Sequence, residues 1–278
     1  MLRLRAFAVV LSFISVHAHA DLVLTAPPRE SDAKAREVFE PIAGYLSSVL
    51  QTRVEFRYSD NWLSYQSDML ADKFDIVFDG PHFAGWRMVK QKHEPLVKLP
   101  GQLSYVVVVR QDETRITDLR KLEGRMLCSP SSPNLGALSV SAFFTNPARQ
   151  PMYVNTGGFK QAYEGLLNKK CAAAVLQAGL YLKLDPEKKQ SKPIASTEGL
   201  PNQVFTAGQR LSAEQRERLR TALMSEPGKV ATSLLRDEYA GKDFVVATAA
   251  EFARHAALLK DTWGFALPEA EPKLALKK

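Results

Sequence analysis

Residues 73–82 read KFDIVFDGPH, and this stretch decides the fold because a short apolar run passes directly into a polar turn. The run at 75–78 is predicted to be a buried strand, and Pro81 favours the first position of a helix. Gly80 lets a ligand approach the backbone closely, and His82 can donate or accept a hydrogen bond. The tetrad DGPH therefore predicts either a ligand-binding loop between strand and helix or an ordinary turn with His82 partly exposed.

Strands and helices alternate on the N-terminal side of this stretch. A strand predicted at 22–26 precedes a helix whose apolar residues recur at helical spacing from Val38 to Leu50. A strand predicted at 54–58 precedes a helix at 61–70. This alternation predicts a mostly parallel sheet with helices on both faces, and such sheets bind ligands beyond the carboxyl ends of their strands.

A second α/β unit is predicted to begin at the β-branched run Tyr105 to Val109. The chain would cross from the first unit to the second just before this run and cross back at Val204 to Ala207. The chain of 278 residues is also longer than a single domain usually is. We therefore expect an α/β fold of two lobes with a hinge and a central cleft. The expected division is residues 21–103 and 208–267 for lobe one, 104–207 for lobe two and 268–278 for a flexible tail.

The N-terminus predicts export. Arg3 and Arg5 precede an apolar run at 6–16, and Ala18-His19-Ala20 has the small residues of a cleavage site. Residues 1–20 are thus predicted to be a signal peptide, and the protein to reach the periplasm. The alternative is an uncleaved anchor helix, although the apolar run is much shorter than the roughly 20 residues that span a bilayer.

Composition and motifs argue against several classes of protein. The net charge of +7 is spread along the chain, which does not favour a nucleic-acid partner and only weakly suggests an anionic ligand. The common hydrolase, metalloprotease, P-loop and dinucleotide-binding motifs are absent, and His82, His93 and His255 lack metal-ligand spacing. We therefore expect no enzyme activity, no cofactor and no metal, with a periplasmic hydrolase as a remote alternative.

The two cysteines leave two possibilities. An oxidising compartment favours a disulfide between Cys128 and Cys171. However, the predicted strands place Cys128 at the end of one strand and Cys171 at the start of its neighbour, farther apart than the roughly 7 Å between Cα atoms that a disulfide tolerates. We therefore expect two buried free thiols.

Four loops that follow predicted strands carry small polar, glycine or aromatic residues. The serine-rich loop at 129–136 opens a helix and could hold an anion at the positive end of the helix dipole, or Ser131 or Ser132 could simply cap that helix. The other loops could equally be a flexible turn at 156–159 and an aromatic packed on the core at 61–65. The predicted ligand-binding residues are Asn61, Tyr65, Gly80, His82, Ser129, Ser131, Ser132, Gly158 and Phe159.

Several of these segments together resemble one known family, the substrate-binding proteins of phosphate, phosphite and phosphonate ABC importers. The segment at 39–47, with a proline followed by Tyr-Leu, looks like the first helix of the family. The stretch at 73–81 is similar to its strand and Gly-Pro loop, and residues 118–124 and 129–136 resemble its short helix and serine-rich loop. The resemblance implies a type II periplasmic-binding-protein fold.

The resemblance also implies a function and partners. We expect a periplasmic protein that captures a small phosphonate-, phosphite- or phosphate-like oxyanion and delivers it to an ABC permease, as a monomer. The chain departs from the family at His82-Phe83, where an aromatic such as Tyr is usual, at Phe159, where a His is common, and at Ala172, where an Asp is common. The alternative is the same fold binding an unrelated small ligand as a sensory adaptor.

Overall fold

A computed structural model describes residues 21–239, 242–260, 262, 264 and 265. The predicted signal peptide (1–20) and flexible tail (268–278) lie outside the described residues. Within the described part, no helix is both long enough and apolar enough to cross a membrane. Strands and helices alternate along this part of the chain, as the sequence pattern predicts.

The elements up to residue 103 are β1 (Leu22–Thr25), α1 (Asp32–Leu50), β2 (Val54–Phe56), α2 (Trp62–Leu70), β3 (Ile76–Asp79), α3 (Pro81–Lys90), β4 (Glu94–Lys98) and β5 (Gln102–Leu103). The next elements are β6 (Tyr105–Arg110), β7 (Met126–Pro130), α4 (Leu135–Ser141), β8 (Met152–Thr156), α5 (Phe159–Leu167), β9 (Ala173–Gln177), α6 (Ala178–Leu184) and β10 (Ser191–Ser196). The last are β11 (Leu200–Pro201), β12 (Val204–Ala207), α7 (Ala213–Met224), α8 (Glu226–Ala231), α9 (Ser233–Tyr239), β13 (Val245–Val246) and α10 (Ala249–Phe252). Short 3-10 helices lie at Leu119–Leu122, Pro147–Arg149 and Ala253–Leu259.

The first sheet has six strands in the order β13-β4-β12-β3-β1-β2. Its strands β2, β1 and β3 are parallel, as the βαβ pattern requires, whereas β12 and β4 run antiparallel to their neighbours. The carboxyl ends of β1 and β3 therefore lie side by side at one edge. The strand β12 (Val204–Ala207) belongs to this sheet, whereas the sequence analysis grouped these residues with lobe two.

The second sheet has five strands in the order β10-β6-β9-β7-β8, with β7 parallel to both β8 and β9. Between the two sheets, β5 pairs with β11 in a small antiparallel ribbon. The chain thus passes from the first sheet to the second at residues 99–104 and returns at 197–203. Two adjacent crossings fit the predicted hinge, although the exact division into lobes stays a prediction.

The expectation of two free thiols is wrong, because Cys128 and Cys171 form a disulfide with their Cα atoms 5.7 Å apart. The sequence argument treated Cys171 as the first residue of a strand. In the structure it lies in the bend before β9, where its backbone N–H donates to the carbonyl of Gly165 at the end of α5. Cys128 lies in the middle of β7 and faces the same helix, since a side chain at Gly165 would collide with its sulfur. The bond therefore joins the sheet to the turn that lies over it.

The C-terminal segment lies where the two halves of the molecule meet. The 3-10 helix at Ala253–Leu259 packs on α3, where a Cβ atom at Gly85 would lie only 2.4 Å from the carbonyl oxygen of Phe252. Leu258 packs against the core of the second sheet, and Leu138 of α4 packs against the core beneath α3. These contacts hold α3 against the half of the molecule that contains the second sheet.

Candidate functional site

A buried ion pair anchors the loop that follows β3. Arg87 donates from Nε to Asp79 at 2.7 Å and from Nη2 to the hydroxyl of Tyr65 at 3.0 Å, and that hydroxyl donates to the second oxygen of Asp79 at 2.6 Å. All three side chains are fully buried. Tyr65, which the sequence analysis placed among the ligand-binding residues, is instead committed to this internal network. Burial and the nearby Asp79 raise the pKa of Tyr65 well above its usual value, so it stays a neutral donor.

The N-terminus of α3 lies directly above this network. Gly80 is the residue before the first turn and supplies no side-chain hydrogen bond to it, so the first N–H groups of the helix receive no cap from that position. The absence of a side chain at Gly80 lets both neighbours pack closely, since a Cβ atom would lie 3.1 Å from Cε1 of His82 and 3.6 Å from Nη2 of Arg29. The positive end of the helix dipole makes this point suitable for an anion.

Arg29, which sequence reasoning missed, lies over the same loop. It follows β1, and its guanidinium lies 6.0 Å from the ring centre of Tyr239, to which it also hydrogen-bonds. Burial lowers the pKa of Arg29, but Tyr239, Asp79 and Tyr105 raise it by more, and the pKa therefore lies above its usual value. Tyr105 opens the first strand of the second sheet, so Arg29 lies where the two sheets meet.

His82 spans the junction between the two halves. It is 3% exposed, and its Nε2 lies 3.1 Å from the carbonyl oxygen of Pro133, in the loop after β7. Its Nδ1 is buried without a hydrogen-bond partner among the described residues. Burial and then the charge of Arg29 lower the pKa of His82 to about 3, so the ring is neutral at physiological pH.

Acidification is expected to weaken the fold through His82 and His93, the pKa of each being lowered to about 3, chiefly by burial. An unfolded histidine titrates near 6.5, so between these values the unfolded chain binds more protons. The contribution of each neutral histidine to the free energy of unfolding is therefore complete above about pH 6.5. It falls as the pH falls, by up to about 2 kcal/mol at pH 5. Urea denaturation at pH 7 and pH 5 measures the loss, which should be smaller in His93→Gln. An equal loss in that variant and in the wild type would contradict the assignment.

The serine-rich loop after β7 is arranged differently from the prediction. Asn134, not Ser131 or Ser132, caps α4 by accepting from the N–H of Gly136 at 2.9 Å, because the helix begins three residues later than expected. Ser132 is exposed and Ser131 is half-buried. Ser129 is fully buried, and its hydroxyl donates to the carbonyl of Pro130 at 3.1 Å. The loop thus places serine hydroxyls near the junction, but none of them caps α4.

The remaining predicted residues lie at two places. Gly158 precedes α5 with an extended backbone, and Phe159 packs 5.9 Å from the ring of Tyr105, so both lie on the second-sheet side of the junction. Asn61 is exposed and caps α2 by accepting from the N–H of Ser64 at 2.9 Å. Capping therefore accounts for Asn61.

The junction contains three residues that sequence reasoning did not select, Arg29, Tyr105 and Tyr239. The rule that picked the loops after β2 and β3 also applies to Pro27-Pro28-Arg29 after β1, and would have found Arg29. Tyr239 gives no comparable signal, because it ends a C-terminal helix far away in sequence. Within the part of the chain that the structure describes, no cluster of His, Cys, Asp and Glu could hold a metal ion.

Solved structures share this architecture at low sequence identity. PhnD1 from Prochlorococcus marinus (MIT 9301), solved with methylphosphonate, superposes with a TM-score of 0.68 at 14% identity, covering 86% of this chain and 97% of that one. XAC2383 from Xanthomonas citri, solved with ATP, gives a TM-score of 0.70 at 14% identity, covering 87% and 98%. A binding-protein component of an ABC phosphonate transporter from Pseudomonas aeruginosa gives 0.64 at 17% identity, covering 86% and 85%. These likenesses confirm the predicted two-lobed type II fold.

No curated protein matches the chain in sequence. The family model described as "ABC transporter, phosphonate, periplasmic substrate-binding protein" matches residues 24–252, which is most of the chain. The predicted resemblance is therefore confirmed, and with it a solute-binding role for an ABC importer rather than an enzymatic one. The chain belongs to the phosphonate-binding family of periplasmic substrate-binding proteins of ABC transporters.

Proposed function

We propose that the protein binds a small phosphorus oxyanion, such as a phosphonate, phosphite or phosphate, at the junction between its two sheets. The observation that carries this proposal is the position of Arg29 over Gly80 at the uncapped N-terminus of α3. A positive side chain and the positive end of the helix dipole then lie close together, which is an arrangement that favours an oxyanion.

The local charges support an anionic ligand. Arg87 is neutralised by Asp79 at 2.7 Å, so the buried pair adds no net charge beneath the loop. Among the groups that raise the pKa of Arg29, Tyr239 has the largest effect. Glu30 and Glu238 line the small cavity beside Arg29, and burial together with Glu30 raises the pKa of Glu238 above its usual value. An oxyanion at the junction would interact favourably with the positive charge of Arg29.

The ligand would be enclosed by both halves of the molecule. His82 already contacts the loop after β7, and Tyr105 and Phe159 provide an aromatic wall from the second sheet. Rotation about the two crossings at 99–104 and 197–203 would open and close the junction, as in hinge closure. The exported protein would be a monomer from Asp21 onward after signal-peptide cleavage, it would bind no nucleic acid, and it would present its closed form to the permease.

A second candidate is the same fold serving an unrelated small ligand, as a sensory adaptor. The capping of α4 by Asn134 favours it, because the first turn of α4 then already has a side-chain cap at the place where the loop sequence predicts an anion site. The departures at Phe159 and Ala172 point the same way.

A thermal-shift screen of the chain from Asp21 onward distinguishes the two candidates. The panel is phosphate, phosphite, methylphosphonate, aminoethylphosphonate and sulfate, with glutamate, arginine and ATP as unrelated ligands. A ligand at 100 times its Kd adds about 2.7 kcal/mol of stability, which shifts the melting temperature by several degrees. Stabilisation by a phosphorus oxyanion supports the proposal. Stabilisation only by an unrelated ligand, or by none of the oxyanions, overturns it.

A further inference from the structure

The ring of His82 has a defined hydrogen-bond polarity. Its Nε2 lies 3.1 Å from the carbonyl oxygen of Pro133, and a carbonyl oxygen can only accept, so Nε2 must carry the proton. A neutral imidazole has one donor and one acceptor nitrogen. Nδ1 therefore presents a lone pair, and this is the atom that has no partner among the described residues.

The groups around His82 keep it neutral. Arg29 faces it from the loop after β1, and His255 faces it from the C-terminal 3-10 helix, while the loop after β7 contributes the Pro133 carbonyl. Arg29 disfavours a second positive charge, and the ring is itself nine-tenths buried. Nδ1 lies 3.2 Å from the position that a Cβ of Gly80 would take, and Nη2 of Arg29 lies 3.6 Å from the same position. The acceptor Nδ1 and the cationic Nη2 thus both lie beside Gly80, at the start of α3.

A buried acceptor without a donor is costly, and a ligand that supplies the donor relieves that cost. A fully deprotonated oxyanion has only acceptors, so it satisfies Arg29 but repels the lone pair of Nδ1. A singly protonated oxyanion has both kinds of group. Its charged oxygens accept from Arg29, and its hydroxyl can donate to Nδ1.

Building on the function proposed above, we infer that His82 is a specificity-determining residue that accepts a hydrogen bond from a P–OH group and thereby selects the singly protonated oxyanion. The protein then discriminates against sulfate, which has no hydroxyl at neutral pH. It also discriminates against the dianion of its own ligand. Specificity of this kind is strong because the wrong ligand leaves a buried polar atom unpaired.

Calorimetric titration of the chain from Asp21 onward tests the inference with methylphosphonate, its monomethyl ester and sulfate. The monomethyl ester is a monoanion that lacks the hydroxyl, so it separates charge from hydrogen bonding without any mutation.

We expect the ester and sulfate to bind at least tenfold more weakly than methylphosphonate. We also expect the Kd of methylphosphonate to rise about tenfold per pH unit above the second pKa of the free ligand, measured separately by phosphorus NMR. His82→Phe should weaken binding at pH 7 and remove this pH dependence, whereas His93→Gln should leave both unchanged.

The outcomes separate the inference from the proposed function. If methylphosphonate binds but its Kd is constant across the ligand's second pKa, or the monomethyl ester binds equally well, the inference is wrong and the proposed function stands. A pH dependence that persists in His82→Phe also overturns it. If none of the phosphorus oxyanions in the thermal-shift panel binds, the proposed function fails and the inference fails with it.

Discussion

Replacing Arg87 by methionine is expected to lower the free energy of unfolding by about 3 to 5 kcal/mol, because it leaves the carboxylate of Asp79 buried without its counter-ion. Both side chains are fully buried, and the pair also holds the hydroxyl of Tyr65. Removing one partner of such a network costs more than the network contributes relative to an apolar core. The whole stability of a domain is only about 5 to 15 kcal/mol, so this loss is large.

Urea denaturation followed by circular dichroism measures the change. Arg57→Met is the matched control, since Arg57 pairs with Glu55 at 2.8 Å on the surface, where a salt bridge contributes at most about 1 kcal/mol. The double variant Arg87→Met/Asp79→Leu should recover part of the stability, because no charge is then left unpaired. Equal effects of Arg87→Met and Arg57→Met would show that the buried pair does not support the loop.

Replacing Arg29 by glutamine is expected to raise the Kd for a phosphorus oxyanion by about 10- to 150-fold. Hydrogen bonds to a charged group contribute about 1.5 to 3 kcal/mol, and each 1.4 kcal/mol is a factor of ten in affinity. Arg29 is the cation nearest to Gly80, and Arg87 cannot replace it because it is paired with Asp79. The variant should bind with a lower on-rate as well, because the attraction of the free anion is lost.

Calorimetry with methylphosphonate gives the affinity, and a denaturation curve shows whether the variant is folded. Arg53→Gln is the control, because Arg53 has a 71% exposed side chain and pairs only with surface acids in the part of the chain that the structure describes. That variant should bind as the wild type does. An unchanged Kd in folded Arg29→Gln would remove Arg29 from the site.

Local patterns predicted much of the fold. The strand predicted at 22–26 is β1 at Leu22–Thr25, and the helix predicted at 61–70 is α2 at Trp62–Leu70. The strands β4 and β10 escaped prediction because each contains a proline, Pro95 or Pro193, and lacks a regular alternation. Both pair antiparallel to a neighbour, which the βαβ pattern does not anticipate.

The site was harder to predict because side-chain roles depend on partners distant in sequence. Tyr65 has the chemistry of a ligand-binding residue, yet Asp79 and Arg87 use its hydroxyl inside the core. His82 lies at the junction, but its orientation depends on the carbonyl of Pro133, 51 positions away. Periodicity and motif spacing contain no information about such pairings.

The disulfide between Cys128 and Cys171 also affects how the protein reaches its working form. Family members act in the periplasm, and the bond cannot persist in the reducing cytosol, so the second sheet acquires this crosslink only after export. Both cysteines belong to the second sheet and the turn above it, and neither lies in the two crossings. Oxidation therefore stiffens one half of the molecule internally while leaving the relative movement of the two halves unconstrained.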